Sequence, residues 1–224
     1  MQELQRKLGY TFRDEALLVT ALTHSSFANE NKKDGAMSNE RLEFLGDAIL
    51  GFTVAEYLYK DRPDMPEGQM SRLRAELVCE PSLCAAAEEL GIGQHLRLGR
   101  GEEAGGGRSR PSILADAVEA VIAAMYLDGG IEAARSVIHT TILPILLRHA
   151  GSELDYKTAL QELVQRKSGQ VLSYRLVSET GPDHSNEFTV EVLLNGVVMG
   201  TGTGRTKKQA EQAAARVAYE DLAK

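Results

Sequence analysis

One segment of the chain decides its class of fold, and it runs Asn39-Glu40-Arg41-Leu42-Glu43-Phe44-Leu45-Gly46-Asp47-Ala48-Ile49-Leu50. Large apolar residues recur every three or four positions in this segment and just beyond it, at Leu42, Leu45, Ile49 and Phe52. This spacing places them on one face of an α-helix that packs against a core. Because Ser38 or Asn39 can serve as N-cap, the sequence predicts a helix from Asn39 to Lys60.

Acidic residues occupy a different face of the same predicted helix. Glu40, Glu43 and Asp47 stand at positions i, i+3 and i+7, which brings all three together. Two further acids, Asp116 and Glu119, lie within residues 112–124, a run that is apolar almost all round and should be buried. Buried carboxylates are costly unless they are paired, protonated or bound to a cation. If the two acidic faces meet, they would hold a hard divalent cation, Mg²⁺ or Mn²⁺.

Other interpretations of these acids stay open at this point. Acid-rich helix faces are usually solvated, and Glu40 alone would fit that description. Asp116 and Glu119 could instead form a structural salt bridge with a distant arginine, such as Arg72 or Arg74. The spacing of the acids does not decide between a salt bridge and a metal site.

Residues 1–150 are predicted to be helical throughout. Besides the helix already described, helices are expected after Asp14 and over Glu67–Val78, Pro81–Leu90, Pro111–Leu127 and Ile131–His149. Pro144 should kink or break the last of them. The glycine-rich stretch Gly101–Gly107 is predicted to be a mobile loop or turn.

The pattern changes after residue 150. Residues 151–154 are typical of a short linker, residues 157–167 of a helix with Leu160, Leu163 and Val164 inward, and Arg205–Leu222 of a closing helix. Three strands are predicted between the helices, at Leu172–Val177, Phe188–Val192 and Val197–Met199, with Asn195-Gly196 as a hairpin turn. The predicted fold is therefore multidomain: an all-α domain over residues 1–150, followed by an α+β domain with the order α-β-β-β-α over residues 155–224.

Composition restricts the class of protein. The chain has 224 residues, 43% of them hydrophobic, with a formal charge of −7. Residues 155–224 carry nine basic and nine acidic residues, so the net negative charge lies in the first domain. No apolar run approaches the roughly 20 residues of a membrane span, no signal-peptide core is present, and Cys79 and Cys84 are too few for a disulfide framework. We expect a cytoplasmic protein with no membrane contact.

Three blocks of sequence resemble the ribonuclease III family. They are residues 39–50, then Glu67-Gly68-Gln69-Met70-Ser71-Arg72-Leu73-Arg74, and then Ile113-Leu114-Ala115-Asp116-Ala117-Val118-Glu119-Ala120. The resemblance extends over nearly the whole chain and matches the short bacterial form, with one nuclease domain and one double-stranded-RNA-binding domain.

The resemblance implies an endoribonuclease that hydrolyses double-stranded RNA with Mg²⁺, for which Mn²⁺ can substitute, and with no organic cofactor. The nuclease domain would form a homodimer, so that two acidic sites face one duplex. Each site would cut one strand and leave 5′-phosphates, 3′-hydroxyls and a short 3′ overhang. The expected substrates are ribosomal precursors and other structured RNAs, including messenger and transfer RNAs. The rival hypothesis is a double-stranded-RNA-binding regulator that does not cut.

The resemblance also implies a role for each acid. Glu43, Asp116 and Glu119 would be metal ligands, and Asp47 would belong with them, ordering the ligands or the attacking water. Asp47 and Glu119 would be catalytic. Glu40 and Glu67 would line the cleavage cleft, where Glu67 could reach its own or the partner subunit's site.

Phe44 has two interpretations at this stage. The resemblance suggests that it belongs to the dimer interface. The alternative is ordinary packing in the core of its own chain.

Basic residues at the start of the last helix point to phosphate binding. Thr206 and Gln209 have the spacing of a capping box. Lys207 and Lys208 in the first turn oppose the helix macrodipole, so folding alone does not favour them. With Arg205 and the free backbone N–H groups they would form a phosphate clamp. Further RNA contacts are expected, by the resemblance, from Thr158, Gln161, Glu162, His184 and Arg97.

Overall fold

The computed structural model describes residues 1–152, 156–165, 169–180 and 186–222. The chain divides into two compact units, Met1–Ser152 and Glu153–Lys224. None of the described helices has both the length and the apolar character needed to cross a lipid bilayer.

The first unit is built from helices, as predicted. In chain order they are α1 (Gln2–Leu8), α2 (Glu15–Ala21), α3 (Ser25–Glu30), α4 (Glu40–Asp61), α5 (Glu67–Leu77), α6 (Glu80–Leu90), α7 (Arg100–Ala104), α8 (Pro111–Val137) and α9 (Leu143–Ser152). The predicted start of α2 is confirmed, because the Asp14 side chain accepts a hydrogen bond from the backbone N–H of Ala16. The short helices α1 and α3 were not predicted. α9 extends into the stretch expected to be a linker and ends at Ser152.

Helices α4 and α8 pack against each other through the centre of this unit. Leu50 and Val54 of α4 are fully buried, as are Ala117 and Ala120 of α8. A Cβ atom added to Gly46 would overlap the backbone carbonyl of Glu119, so the two helix backbones touch at that level. The close approach brings the acid-bearing turns of the two helices together.

The glycine-rich stretch Gly101–Gly107 is not the loop that its composition predicted. It contains most of α7 and the start of a short 3₁₀ turn. Arg108 stabilises this arrangement, since its guanidinium binds the Glu103 carboxylate at 2.6 Å. The same side chain donates to two backbone carbonyls, those of Gly93 and Leu96. These tertiary bonds outweigh the low helix propensity of glycine.

The second half of the α8–α9 region is irregular at two points. Gly130 has φ 80° and ψ 179° and breaks the helix, within the gap between the two predicted helices. A π-helical turn over Ile138–Ile142 follows, and α9 begins with Pro144 in its first turn. Proline lacks an N–H and its ring crowds the carbonyl four residues earlier, so the predicted distortion at Pro144 takes the form of this π turn.

The second unit has the predicted order α-β-β-β-α. Its elements are α10 (Tyr156–Gln165), β1 (Leu172–Thr180), β2 (Glu187–Leu194), β3 (Val197–Gly204) and α11 (Lys207–Leu222). The strands form one antiparallel sheet in the order β1-β2-β3. Asn195 and Gly196 both have positive φ and make the tight turn between β2 and β3, which confirms the predicted hairpin.

The helices of this unit cover one face of the sheet. Leu160 and Val164 of α10 are buried, while Leu163 is half-buried, so the predicted inward face is largely correct. β3 meets α11 through glycines: Cβ atoms at Gly200, Gly202 or Gly204 would collide with the α11 backbone. The facing residues of α11 are fully buried alanines, Ala210, Ala214 and Ala218.

Candidate functional site

Three carboxylates from α4 and α8 converge in the first unit. Glu43, Asp116 and Glu119 each offer one carboxylate oxygen, and the three oxygens lie within 4.8 Å of one another. All three side chains are half-buried. The i, i+3 spacing of Asp116 and Glu119 turns both toward α4, and the contact at Gly46 brings Glu43 within reach.

The environment of these groups opposes their ionisation. Burial raises the pKa of Glu119 to about 8, and the negative charges of Asp47, Glu43 and Asp116 add to the shift. Burial also raises the pKa of Glu43, with smaller contributions from Asp116, Glu40 and Asp47. The surroundings therefore favour the protonated, neutral forms of Glu119 and Glu43 when no cation is bound.

Asp116 has a more mixed environment. Burial raises its pKa most, the nearby imidazole of His24 acts in the opposite direction, and Glu80 raises it further. The charged groups that shift the pKa of Glu119 are all carboxylates, and no arginine is among the groups that shift the pKa of Asp116. Within the described residues, neither acid forms an ion pair, so the salt bridge to Arg72 or Arg74 is not formed.

The remaining predicted acids surround the cluster without belonging to it. Asp47 is exposed and close enough to Glu119 to affect its pKa. Glu40 is exposed at the first position of α4 and accepts a hydrogen bond from the Ser38 hydroxyl at 2.8 Å. Glu67 is exposed at the first position of α5, where the Ser71 hydroxyl donates to it at 2.7 Å. Among the described residues, none of these three acids contributes an oxygen to the cluster whose members lie within 4.8 Å of one another.

This donor set fits a hard divalent cation. Mg²⁺ and Mn²⁺ prefer carboxylate oxygens, and Mg²⁺ is usually held by a few carboxylates with water completing its coordination. A cation at the point where Glu43, Asp116 and Glu119 meet would offset the burial and the mutual repulsion that raise the pKa of Glu119. The cluster is therefore a candidate metal centre.

Comparison with known families assigns both units. Residues 14–146 match the Ribonuclease-III-like family model, and residues 156–222 match the Double-stranded RNA binding motif. The chain belongs to the ribonuclease III family. As a member of this family it is an endoribonuclease that acts on double-stranded RNA, and membership of the family implies a divalent metal.

Relatives and solved structures agree with the assignment. A Ribonuclease 3 from Pelotomaculum thermopropionicum is 52% identical over 217 residues, which span 96% of this chain and 90% of the relative. A Ribonuclease 3 from Listeria monocytogenes is 49% identical over 224 residues, 99% of this chain and 97% of the relative. Two structures of the ribonuclease III nuclease domain from Campylobacter jejuni are 42% and 40% identical. Both have a TM-score of 0.59, and they cover 63% and 66% of this chain and 94% and 95% of theirs.

The predicted phosphate-binding residues of this ribonuclease III chain lie together at the start of α11. Arg205, Lys207 and Lys208 are all exposed. The Thr206 hydroxyl accepts a hydrogen bond from the backbone N–H of Gln209 at 3.2 Å, which confirms Thr206 as the cap. The lysines therefore flank a capped helix start whose remaining backbone N–H groups are available to a phosphate.

The other predicted RNA contacts are less fully described. Thr158, Gln161 and Glu162 fall on α10, where the Gln161 side chain is half-buried. His184 lies outside the described residues.

Arg97 takes part in the fold of the nuclease domain. Its guanidinium lies over the Phe27 ring, 4.2 Å from the centroid, and one nitrogen is 3.4 Å from the Thr23 hydroxyl. Its backbone pairs with Thr23 as an isolated parallel β-bridge. The side chain is exposed, so it can contact solvent from this anchored position.

Two groups near the acid cluster were missed by sequence reasoning. His24 and Glu80 both influence Asp116, yet they are 92 and 36 residues away from it in the sequence. His24 caps α3 and Glu80 begins α6. Helical spacing along α8 could not indicate either neighbour, because only tertiary packing brings them near.

Proposed function

We propose that Glu43, Asp116 and Glu119 hold a Mg²⁺ ion, with Mn²⁺ able to substitute, at which the chain hydrolyses phosphodiester bonds of double-stranded RNA. The proposed products carry 5′-phosphate and 3′-hydroxyl ends. The observation that carries this proposal is the meeting of three half-buried carboxylates from two helices, none of which forms an ion pair within the described residues, in a chain of the ribonuclease III family.

The surrounding acids have distinct proposed roles. The divalent ion supplies Lewis acidity, which offsets the charge of the phosphate and makes water a stronger nucleophile. Asp47, exposed beside Glu119, orients the attacking water and the ligand carboxylates. Glu40 and Glu67 line the cleft from the first turns of α4 and α5. Glu67 serves either the site of its own chain or that of the partner subunit.

An apolar surface on α4 supports the proposed homodimer. Phe44 is 81% exposed, so it does not pack in the core of its own chain. It lies one helical turn from Ala48 and two from Phe52, which is 55% exposed. A groove of ≈ 690 Å³ adjoins this row and is lined by Leu45, Ala48, Ile49, Phe52, Tyr126, Leu127, Gly130 and Ile131.

A second copy of the chain is the proposed occupant of this surface. One of the Campylobacter jejuni structures concerns a region of the nuclease domain that takes part in dimer formation. Large exposed apolar side chains beside an apolar groove are typical of such an interface. Pairing would place two acid clusters on one assembly, one for each strand of the duplex.

The second unit is proposed to grip the duplex by its shape. Lys207, Lys208 and Arg205 bind phosphates, while Thr158, Gln161, Glu162 and His184 contact the minor groove. Arg97 is proposed as a weaker contact from the nuclease domain. Ribosomal precursors and structured messenger and transfer RNAs in the cytoplasm are the proposed targets.

Cleavage of a defined duplex RNA tests the metal-dependent reaction. With Mg²⁺ we expect discrete products, whose ends are identified by phosphatase and ligase treatment, and with EDTA we expect none. Glu119→Gln should still bind the duplex and should not cut it, whereas Glu132→Gln, a surface change on the same helix, should cut normally. Binding without cutting by the unaltered chain would instead support the regulator hypothesis.

A further inference from the structure

Asn39 carries a buried hydrogen-bond donor without an acceptor. The residue precedes α4 and is only 2% exposed. Its backbone N–H donates to the Thr23 carbonyl at 2.8 Å, and its carbonyl accepts from the Glu43 N–H at 2.8 Å. The side-chain Nδ2 is buried and has no hydrogen-bond partner in the described part of the chain. Such a group lowers the stability of the fold, so its presence calls for a functional explanation.

The position of Asn39 suggests what this donor serves. Asn39, Glu43 and Asp47 stand four residues apart, and residues at this spacing are neighbours on one side of a helix. Asn39 therefore lies one helical turn before Glu43 and is itself buried. It supplies an amide donor next to a carboxylate that is proposed to bind the metal.

We propose that Asn39 is a positioning residue for the proposed metal centre, whose Nδ2 donates a hydrogen bond through one water to the carboxylate of Glu43. This inference rests on the proposed function, because it takes Glu43 as a metal ligand. Ligating carboxylates in metal sites are themselves hydrogen-bonded, and loss of such a partner typically weakens metal binding about ten- to hundredfold.

Mn²⁺ affinity without RNA tests the role of Asn39. Asn39→Leu removes the amide at similar volume, and we expect the dissociation constant for Mn²⁺, measured by electron paramagnetic resonance, to rise about ten- to hundredfold. Stability toward urea should stay the same or increase, since an unpaired buried donor is lost. Lower stability with unchanged Mn²⁺ affinity would show a purely structural role. If Asn39→Leu does not fold, Asn39→Ala is measured in its place.

Thr53→Val is the matched control for this test. Thr53 is another buried polar residue of α4, whose hydroxyl donates to the Ile49 carbonyl. Its replacement should leave the Mn²⁺ affinity unchanged.

Glu119→Gln separates this inference from the proposed function. If the unaltered chain and Glu119→Gln bind Mn²⁺ equally, the metal is not held by the acid cluster, and both proposals fail. If Glu119→Gln weakens binding while Asn39→Leu does not, only the positioning role of Asn39 fails.

Discussion

The Cα of Gly46 faces the backbone carbonyl of Glu119 so closely that no side chain fits between them. This single contact sets the distance between α4 and α8 at the level of the acids. Three carboxylates from the two helices can therefore converge within 4.8 Å. The geometry of the candidate metal centre therefore depends on the absence of a side chain at Gly46.

Gly46→Ala should disrupt the site from within the core. The added methyl group must displace α8 from α4, which we expect to lower the free energy of unfolding by about 1–3 kcal/mol. Mn²⁺ affinity and cleavage should fall with it. Gly51→Ala is the matched control on the same helix, because its Cβ would meet no atom within 4 Å. Urea unfolding should show that Gly51→Ala raises the free energy of unfolding by no more than about 1 kcal/mol.

Glu119 should make the metal-free protein less stable as the pH rises. Its folded pKa of about 8 lies above the ordinary value of 4.5. Between these values the unfolded chain has released a proton that the folded chain retains, so the free energy of unfolding decreases with pH across this range. Urea titrations in EDTA at several pH values measure the slope. Glu119→Gln should flatten it, and an equal slope in the variant would contradict the assignment.

Saturation with Mn²⁺ should reverse this loss of stability. Ligand at a hundredfold excess over its dissociation constant stabilises the folded state by about 2.7 kcal/mol. Since the cation competes with protons for the same carboxylates, its affinity should increase from pH 6 toward the Glu119 pKa of about 8. Isothermal titration calorimetry across roughly this range would detect the change. A pH-independent affinity would place the cation on other groups.

Lys207 and Lys208 should govern the salt dependence of RNA binding. Replacing either lysine with alanine should weaken duplex binding and reduce the slope of log affinity against log salt concentration by roughly one. Arg216→Ala is the control, since Arg216 is an exposed cation of the same helix that pairs with Glu220. Equal effects of all three changes would indicate general charge attraction rather than a clamp at the helix start.

Phe44→Ala should separate the proposed dimer. The aromatic ring is exposed on the single chain, so its removal should leave the monomer folded while sedimentation equilibrium shows a weaker association. Tyr59→Ala is a suitable control, because Tyr59 is exposed on α4 but does not line the apolar groove. Unchanged association of Phe44→Ala would exclude this surface as the interface.

Periodic spacing predicted much of this structure. The regular recurrence of Leu42, Leu45 and Ile49 indicated α4, and the Asn195-Gly196 pair fixed the hairpin. Both signals are local, because a short run of neighbouring residues is sufficient to specify the helix or the turn. The spacing of the acids left the meeting of Glu43 with Asp116 and Glu119 conditional, and it was the family resemblance that implied the convergence now observed.

Features created by distant contacts could not be predicted in this way. The glycine-rich segment folds into α7 because Arg108 binds it, although its composition favours a loop. Arg97 is held against Phe27 by a contact across 70 residues. Asp116 also has two neighbours, His24 and Glu80, that lie at the starts of other helices. The spacing of residues along α8 could not predict either of them.

The glycines of β3 have a consequence for how the RNA-binding unit can evolve. β3 packs directly against the α11 backbone at Gly200, Gly202 and Gly204. Glycine has no side chain whose rotamer could change to accommodate a small shift of the helix. Strand and helix must therefore move as one piece or not at all. Adaptation to a different duplex therefore has to arise at exposed residues of the unit, because the spacing between β3 and α11 in its interior is fixed.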